Sequence, residues 1–263
     1  VLYVAVRAAR RAGDALVRML DDLDRLKKQE KADRDYVTEA DRKAEALIVR
    51  EIVRHYPDHG IVAEETGGRN PDAPVQWYVD PLDGTANYMH GNPHFAVSIA
   101  AWKHGKPLLA VVHDPLRNET FEAKSGDGAF LNRRRLRVSA CVDAADAVFA
   151  TGLPPRRRKA QLPLFRARLE ACLTRASDLR RAGSAALDLA WVAAGRLDAY
   201  WEAGLGPWDI AAGILLVQEA GGMVTRLDGG PVDLKRGEVL AGNPAMHESF
   251  RAMLAAAEAD AEA

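Results

Sequence analysis

Cysteine is scarce in this chain. Cys141 and Cys172 are the only two among 263 residues, and they stand far apart. Neither belongs to a C-x-x-C, and no His lies at ligand spacing. A disulfide scaffold and a zinc site are therefore excluded as organising features, and a reducing cytoplasm is the simplest setting. A surplus of charge is missing too. The formal net charge is -1, so no overall field draws the chain to nucleic acid or to an anionic membrane. No apolar run approaches the ~20 residues needed to span a bilayer. The opening Val1-Leu2-Tyr3-Val4-Ala5-Val6 comes before Arg7, Arg10 and Arg11. That is the reverse of a signal peptide's charge order and reads as an amphipathic first helix. Internal repeats and low-complexity segments are lacking. What remains is the make-up of a soluble globular protein, with room for one large domain or two intimate subdomains.

Helical periodicity runs through residues 1–20 and 40–55. Ile61 to Glu65 and Val75 to Asp80 read as short buried strands that lead into acidic turns. Apolar segments at 95–102, 107–113, 119–123 and 129–138 are split by turn residues, which predicts an antiparallel meander. Beyond about residue 141, strand and helix signals alternate, which favours a layered α/β arrangement. Helices are expected near 160–176, 184–194, 208–220 and from 245 onward. Strands are expected at 147–150, 178–181, 197–202, 223–226 and 238–241. Ala255 to Ala263 reads as a fraying tail.

The most informative stretch is Trp77-Tyr78-Val79-Asp80-Pro81-Leu82-Asp83-Gly84-Thr85-Ala86-Asn87. An apolar run ends in two carboxylates. Pro81 stiffens the turn, and Gly84 lets the backbone approach an anion. Further acids punctuate the chain at Asp35-Tyr36-Val37-Thr38-Glu39-Ala40-Asp41, at Glu64-Glu65 and at Asp209. An all-oxygen donor set suits Mg²⁺ or Mn²⁺ and argues against zinc. Carboxylates that converge without cations repel one another, so convergence implies bound metal. His90, His94 and His113 form no pair at ligand spacing and read as structural or solvated. Arg133-Arg134-Arg135 and Arg156-Arg157-Arg158-Lys159 read as solvated turns.

Two segments carry a family resemblance. Residues 77–87 resemble the first signature of the inositol monophosphatase family. Trp208-Asp209-Ile210-Ala211-Ala212-Gly213, with Glu219-Ala220-Gly221-Gly222 behind it, resembles the second. Residues 93–100 and 181–190 are most similar to the family's bacterial SuhB branch. Ala86 departs from the pattern, where most members carry a second threonine, and so does Ala63, where many have glycine.

The resemblance implies a layered αβαβα sandwich, α/β (α+β) in class, of the inositol monophosphatase and fructose-1,6-bisphosphatase type. Residues 1–140 would form an α+β subdomain with the metal motif, and 141–263 an α/β subdomain completing the site. Glu64, Asp80 and the Leu82 carbonyl would hold one Mg²⁺. Asp80, Asp83 and Asp209 would hold a second, and a looser third ion would sit near Glu64 through water. Glu65 would orient water, and Asp41 with Thr85 would position or deprotonate it. Asp83, Gly84, Thr85, Gly183, Ser184, Ala185 and Glu202 would bind substrate, Glu202 as the acid that reads polyol hydroxyls. The implied activity is Mg²⁺-dependent hydrolysis of myo-inositol monophosphates by a lithium-sensitive cytoplasmic homodimer. Alternatives are phosphatase action on histidinol phosphate, a sugar phosphate or a phosphoadenosine nucleotide. A regulatory contact with NusA and RNA polymerase in transcription antitermination is a further one.

Overall fold

The computed structural model describes residues 1–21, 23, 28–32, 35–153 and 158–262. Arg156 and Arg157 of the second basic cluster lie outside the described residues.

Two long helices open the chain. In α1 (Leu2–Leu20) the buried side is Val4, Ala5, Ala8, Ala9, Ala12 and Leu16, a helical stripe made mostly of alanine. Small side chains let α1 approach closely both α2 (Glu39–His55) and the sheet beneath. Between the helices lies a hairpin, β1 (Lys28–Ala32) with β2 (Asp35–Thr38), which the sequence reading did not foresee. Thr38 caps α2, accepting from the Ala40 N–H, while Asp41 accepts from the Thr38 N–H.

The first large sheet contains β3 (Gly60–Ala63), β4 (Gly67–Arg69), β5 (Val75–Asp83), β6 (Ala96–Lys103), β7 (Lys106–Asp114), β8 (Glu119–Lys124), β9 (Gly128–Leu131) and β10 (Arg134–Arg135). Its order is β10-β9-β8-β7-β6-β5-β3-β4. From β5 to β10 the pairing is antiparallel between neighbours, as the meander pattern required. The pair β3–β5 is parallel. A one-turn helix, α3 (Thr85–Met89), follows β5.

The second sheet contains β11 (Val148–Thr151), β12 (Asp178–Arg180), β13 (Ala199–Ala203), β14 (Met223–Thr225) and β15 (Glu238–Gly242), in the order β12-β11-β13-β15-β14. Its helices are α4 (Arg158–Arg175), α5 (Ala185–Ala193), α6 (Pro207–Glu219) and α7 (Pro244–Glu262). The last helix runs to Glu262, so the expected fraying tail from Ala255 is helical instead.

Three cores show the layering. One joins α1 and α2 to the first sheet. The next joins the other face of that sheet to α5, α6 and the second sheet. The third joins the far face of the second sheet to α4 and α7. The order α-β-α-β-α is the sandwich expected from the sequence. Helices α5 and α6 are buried on nearly every side because both of their neighbours are sheets. Gly213 lets them touch, since a Cβ there would overlap the Leu189 side chain.

Candidate active site

The site begins where β3 and β5 end. The two strands are parallel, with Ala63 opposite Val79, so both chain exits lie at one edge of the sheet. Glu64 therefore leaves β3 beside Asp80, and its N–H donates to the Val79 carbonyl at 3.2 Å. In a regular strand, Asp80 and Asp83 would face opposite sides of the sheet. The register with β6 slips between them, from Asp80 opposite Ser98 to Asp83 opposite Ala96. That irregularity at Pro81-Leu82 lets both carboxyls join one group. The Leu82 N–H donates to Asp80 Oδ1 at 2.9 Å and fixes its orientation.

Gly84 has φ 99°, and a Cβ there would stand 3.0 Å from the His94 carbonyl oxygen and 3.3 Å from that of Gly183. Only glycine accepts both constraints. Thr85 follows as the first residue of α3. Its Oγ1 lies 3.1 Å from Asp41 Oδ1 and 3.1 Å from the Leu82 carbonyl. Asp41 sits in the first turn of α2, fully buried. Burial raises its pKa, and hydrogen bonds from Thr38 and Thr85 only partly offset the rise.

Asp209 lies in the first turn of α6, and its Oδ2 accepts the Gly206 N–H at 2.7 Å. Ser98, opposite Asp80 on β6, donates to the Trp208 carbonyl at 3.1 Å. One serine thus pins the second acidic motif over the first. The result is mutual electrostatic stress. Burial raises Asp80 well above the usual carboxylate range, and the charges of Glu64, Asp83 and Asp209 add to it. Asp209 is raised by burial, then by Asp83 and Glu64. Asp83 is pushed up to about 6 by burial, against hydrogen bonds from Ser184, Ala186 and Ala185.

Among the described residues no three His, Cys, Asp or Glu side chains already form a closed ligand cluster. The carboxyls nonetheless sense one another strongly. Such oxygen donors, with Asp80 and Asp83 buried and Glu64 and Asp209 half-buried, fit a hard divalent cation, whose charge would relieve the stress.

The second half contributes Gly183, Ser184, Ala185 and Glu202. Ser184 caps α5, a helix the sequence predicted over 184–194. Its hydroxyl donates to Asp83 Oδ2 at 2.5 Å, and the Ala186 N–H donates to the same oxygen at 2.7 Å. Donors at the start of α5 are therefore engaged with Asp83. Glu202 is 7 % exposed and accepts a hydrogen bond from the Tyr200 hydroxyl at 2.5 Å. Burial pushes it up to about 8. Gly152 makes room for it, because a Cβ there would overlap the carboxyl group.

Four positioning residues escaped the sequence reading. Glu45, fully buried on α2, accepts the Glu65 and Thr66 N–H groups at 2.8 Å each and so holds the Glu64-Glu65 turn. Its signal was available: a glutamate on the inner face of α2, one turn from Asp41. Asn87 Nδ2 donates to the carbonyls of His94 at 2.7 Å and Ala182 at 2.9 Å, tying the first motif to the 182–184 loop. Tyr200 fixes Glu202. Asp188, 1 % exposed, faces the same acids, and burial and then the Glu202 charge raise it. Glu219 has a scaffolding contact, accepting the N–H groups of Gly126 and Gly128 in the β8–β9 turn. His94 and His113 are buried, and His90 is exposed. Arg133, Arg134 and Arg135 are exposed at the sheet edge.

Comparison with known proteins agrees with this fold. The inositol monophosphatase family model matches residues 1–260. A protein of Pseudomonas aeruginosa named Nus factor SuhB is 47 % identical over 262 residues, which cover 97 % of this chain and 94 % of that protein. Among solved structures, the extragenic suppressor protein suhB of Bartonella henselae superposes with a TM-score of 0.92 at 43 % identity, covering 96 % of this chain and 97 % of its own. The inositol monophosphatase of Anabaena superposes with a TM-score of 0.87 at 39 % identity, covering 97 % and 95 %. With both signatures in place and the match spanning nearly every residue, this chain belongs to the inositol monophosphatase family.

Proposed function

We propose that this protein is a Mg²⁺-dependent phosphomonoesterase that hydrolyses myo-inositol monophosphates to inositol and phosphate. The observation that carries the reading is the electrostatic coupling of four acids with no Cys or His among them: Asp80 and Asp83, which are buried, and Glu64 and Asp209, which are half-buried. Glu64, Asp80 and the Leu82 carbonyl would hold one ion. Asp80, Asp83 and Asp209 would hold a second, with a looser third near Glu64 through water. When bound, the ions supply Lewis-acid stabilisation of charge on the phosphoryl and leaving oxygens.

The chain's own residues do the rest. Thr85 Oγ1 takes a proton from the attacking water as its hydroxyl proton passes to Asp41 Oδ1. The raised proton affinity of Asp41 suits that role. The water oxygen bonds to phosphorus, the P–O bond to inositol breaks, and the inositol oxygen leaves as the alcohol by taking a proton from a solvent water, while Asp41 returns the proton it accepted to solvent. Glu65 orients the water, and Glu45 holds the Glu65 backbone. The backbone at Gly84 and Thr85 receives the phosphate. Asp83, the segment Gly183-Ser184-Ala185 and Glu202 receive the polyol. No covalent phosphoenzyme is involved.

A phosphate-release screen tests this. It spans inositol monophosphates, histidinol phosphate, sugar phosphates and a phosphoadenosine nucleotide, with and without Mg²⁺. Inositol monophosphates should be the best substrates, and release should stop without the metal. A faster substrate of another class would shift the assignment to that class. No release from any would end the enzymatic reading. Li⁺ added to the active reaction should inhibit it.

Glu202→Ala should raise KM for inositol monophosphate about tenfold or more, the loss expected when a hydrogen-bonding carboxylate is removed from bound hydroxyls. On nitrophenyl phosphate, which lacks those hydroxyls, KM should change little. Equal losses on both substrates would make Glu202 a structural residue.

A second reading rests on the name Nus factor SuhB borne by close relatives. It assigns a contact with NusA or RNA polymerase in addition to catalysis. Purified NusA and polymerase, mixed with wild type and with Asp80→Asn, test it directly. Retained binding by the inactive variant would separate the two roles. With the phosphatase reading we further propose a cytoplasmic homodimer.

A further inference from the structure

The outermost layer of the sandwich carries a groove between α1 and α2, on the side away from the first sheet. Its cavity of about 450 Å³ is lined by Ala15, Arg18, Met19, Lys43, Ala46, Leu47 and Arg50. The floor is apolar. The rim is cationic on both sides, with Arg18 on one helix and Lys43 and Arg50 on the other. All three cations are exposed. Lys43 makes a surface pair with Glu39 at 2.8 Å. Arg18 and Arg50 form no hydrogen bond or ion pair with any described residue.

Three features make this unlike ordinary solvated surface. The chain as a whole is near neutrality, yet the charged residues that line this groove are all cations, of which Lys43 alone has a paired acid, Glu39. Cations gathered around one groove repel, and an anion among them relieves that repulsion. The apolar floor runs along the groove from Ala15 to Met19 and from Ala46 to Leu47. Leu47 and Met19 are partly buried there without a covering layer among the described residues. From Lys43 to Arg50 the lining helix rises about 10 Å, the length of two helical turns.

We propose that this groove docks an acidic amphipathic helix of a protein partner. One apolar ridge of that helix, at i, i+3 or i+4, and i+7, fills the floor. Its flanking Asp or Glu side chains meet Arg18 on one side and Lys43 and Arg50 on the other. Charge complementarity selects the sign of the partner, and the apolar floor favours a helix over a polyanion. A nucleic-acid backbone would satisfy the rim and leave Leu47 and Met19 uncovered. The rim steers association, so binding weakens with salt.

The test uses the full chain and a fluorescently labelled synthetic peptide, a leucine-ridged helix with glutamate on both flanks. Fluorescence anisotropy should show saturable, salt-sensitive binding. The double variant Arg18→Glu/Arg50→Glu should weaken it about tenfold or more, because two attractive pairs become repulsive. Leu47→Ala should weaken it by loss of apolar contact. Both variants should keep wild-type phosphatase activity and melting temperature, since these residues lie outside the catalytic cleft. A matched peptide with lysine in place of glutamate should not bind. The proposal is overturned if the glutamate peptide does not bind, or binds the charge-reversal variant as well as wild type. It is overturned equally if anionic vesicles or a single-stranded oligonucleotide bind more tightly and displace the peptide. In that case the groove belongs to a membrane or nucleic-acid surface.

Discussion

Asp83→Asn is expected to lower kcat by about a hundredfold or more, because the carboxylate helps hold the charge that stabilises the transition state. The fold should survive for a specific reason. Asp83 Oδ2 accepts from the Ser184 hydroxyl and the Ala186 N–H. An asparagine can keep its carbonyl oxygen on those two donors. Its amide then faces the acidic group, where it cannot hold a cation. The variant should therefore show a near-native melting temperature and a collapsed kcat, with little gain from added Mg²⁺. Steady-state kinetics at saturating Mg²⁺, read beside a thermal melt, separate the outcomes. Near-normal turnover would remove Asp83 from the site. A large loss of stability would mean that the amide failed to keep the α5 contacts, and Asp80→Asn would then replace it as the test.

Mg²⁺ should also stabilise the protein, and by an amount that depends on pH. Without metal, burial pushes Asp83 up to about 6 and Glu202 up to about 8, both above their unfolded values. A carboxyl raised in the folded state contributes stability below its unfolded pKa, near 4. That contribution is lost as pH rises through the folded value. The metal-free protein should therefore lose stability between about pH 4 and pH 8 from these groups. A bound cation replaces the proton on Asp83, which it would share as a ligand, so its effect should be small at pH 5 and large at pH 8. At a hundred times Kd, a ligand of the native state contributes about 2.7 kcal/mol, which corresponds to roughly 5–10 °C in a chain of this size. NaCl at matched ionic strength should not reproduce the shift, because screening is not coordination. Thermal melts at the two pH values, with and without Mg²⁺, decide the matter. An equal shift at both, or none at concentrations that support full activity, would show that the acids are not coupled through the ion.

The family matched by residues 1–260 was legible because its chemistry is written in short contiguous segments. Asp80, Asp83, Gly84 and Thr85 lie within six residues, and Asp209 sits at a helix start announced by Pro207. The meander after residue 95 was legible because its turns are marked by glycine, aspartate and proline, as at Gly105, Asp114-Pro115 and Gly126-Asp127-Gly128. The β1–β2 hairpin was not, because its charged strands carry no alternating apolar pattern. The helix beyond Ala255 was missed because an alanine- and acid-rich end is helix-compatible yet resembles a tail.

By itself, then, the chain offered the candidate acids and showed that their donors are oxygen. These are local properties, set by residue type and spacing. Tertiary structure alone decided how the acids meet. The parallel β3–β5 pair brings Glu64 beside Asp80, and the register slip turns Asp83 to the same side. It decided that Ser184 and Ala186 hold Asp83, that Glu45 holds the Glu65 turn, and that Gly152 leaves room for Glu202. It also set Arg18 across from Arg50 over an open apolar floor. Each is a contact between segments distant in sequence. No local pattern encodes such a contact, because it exists only once the layers have packed.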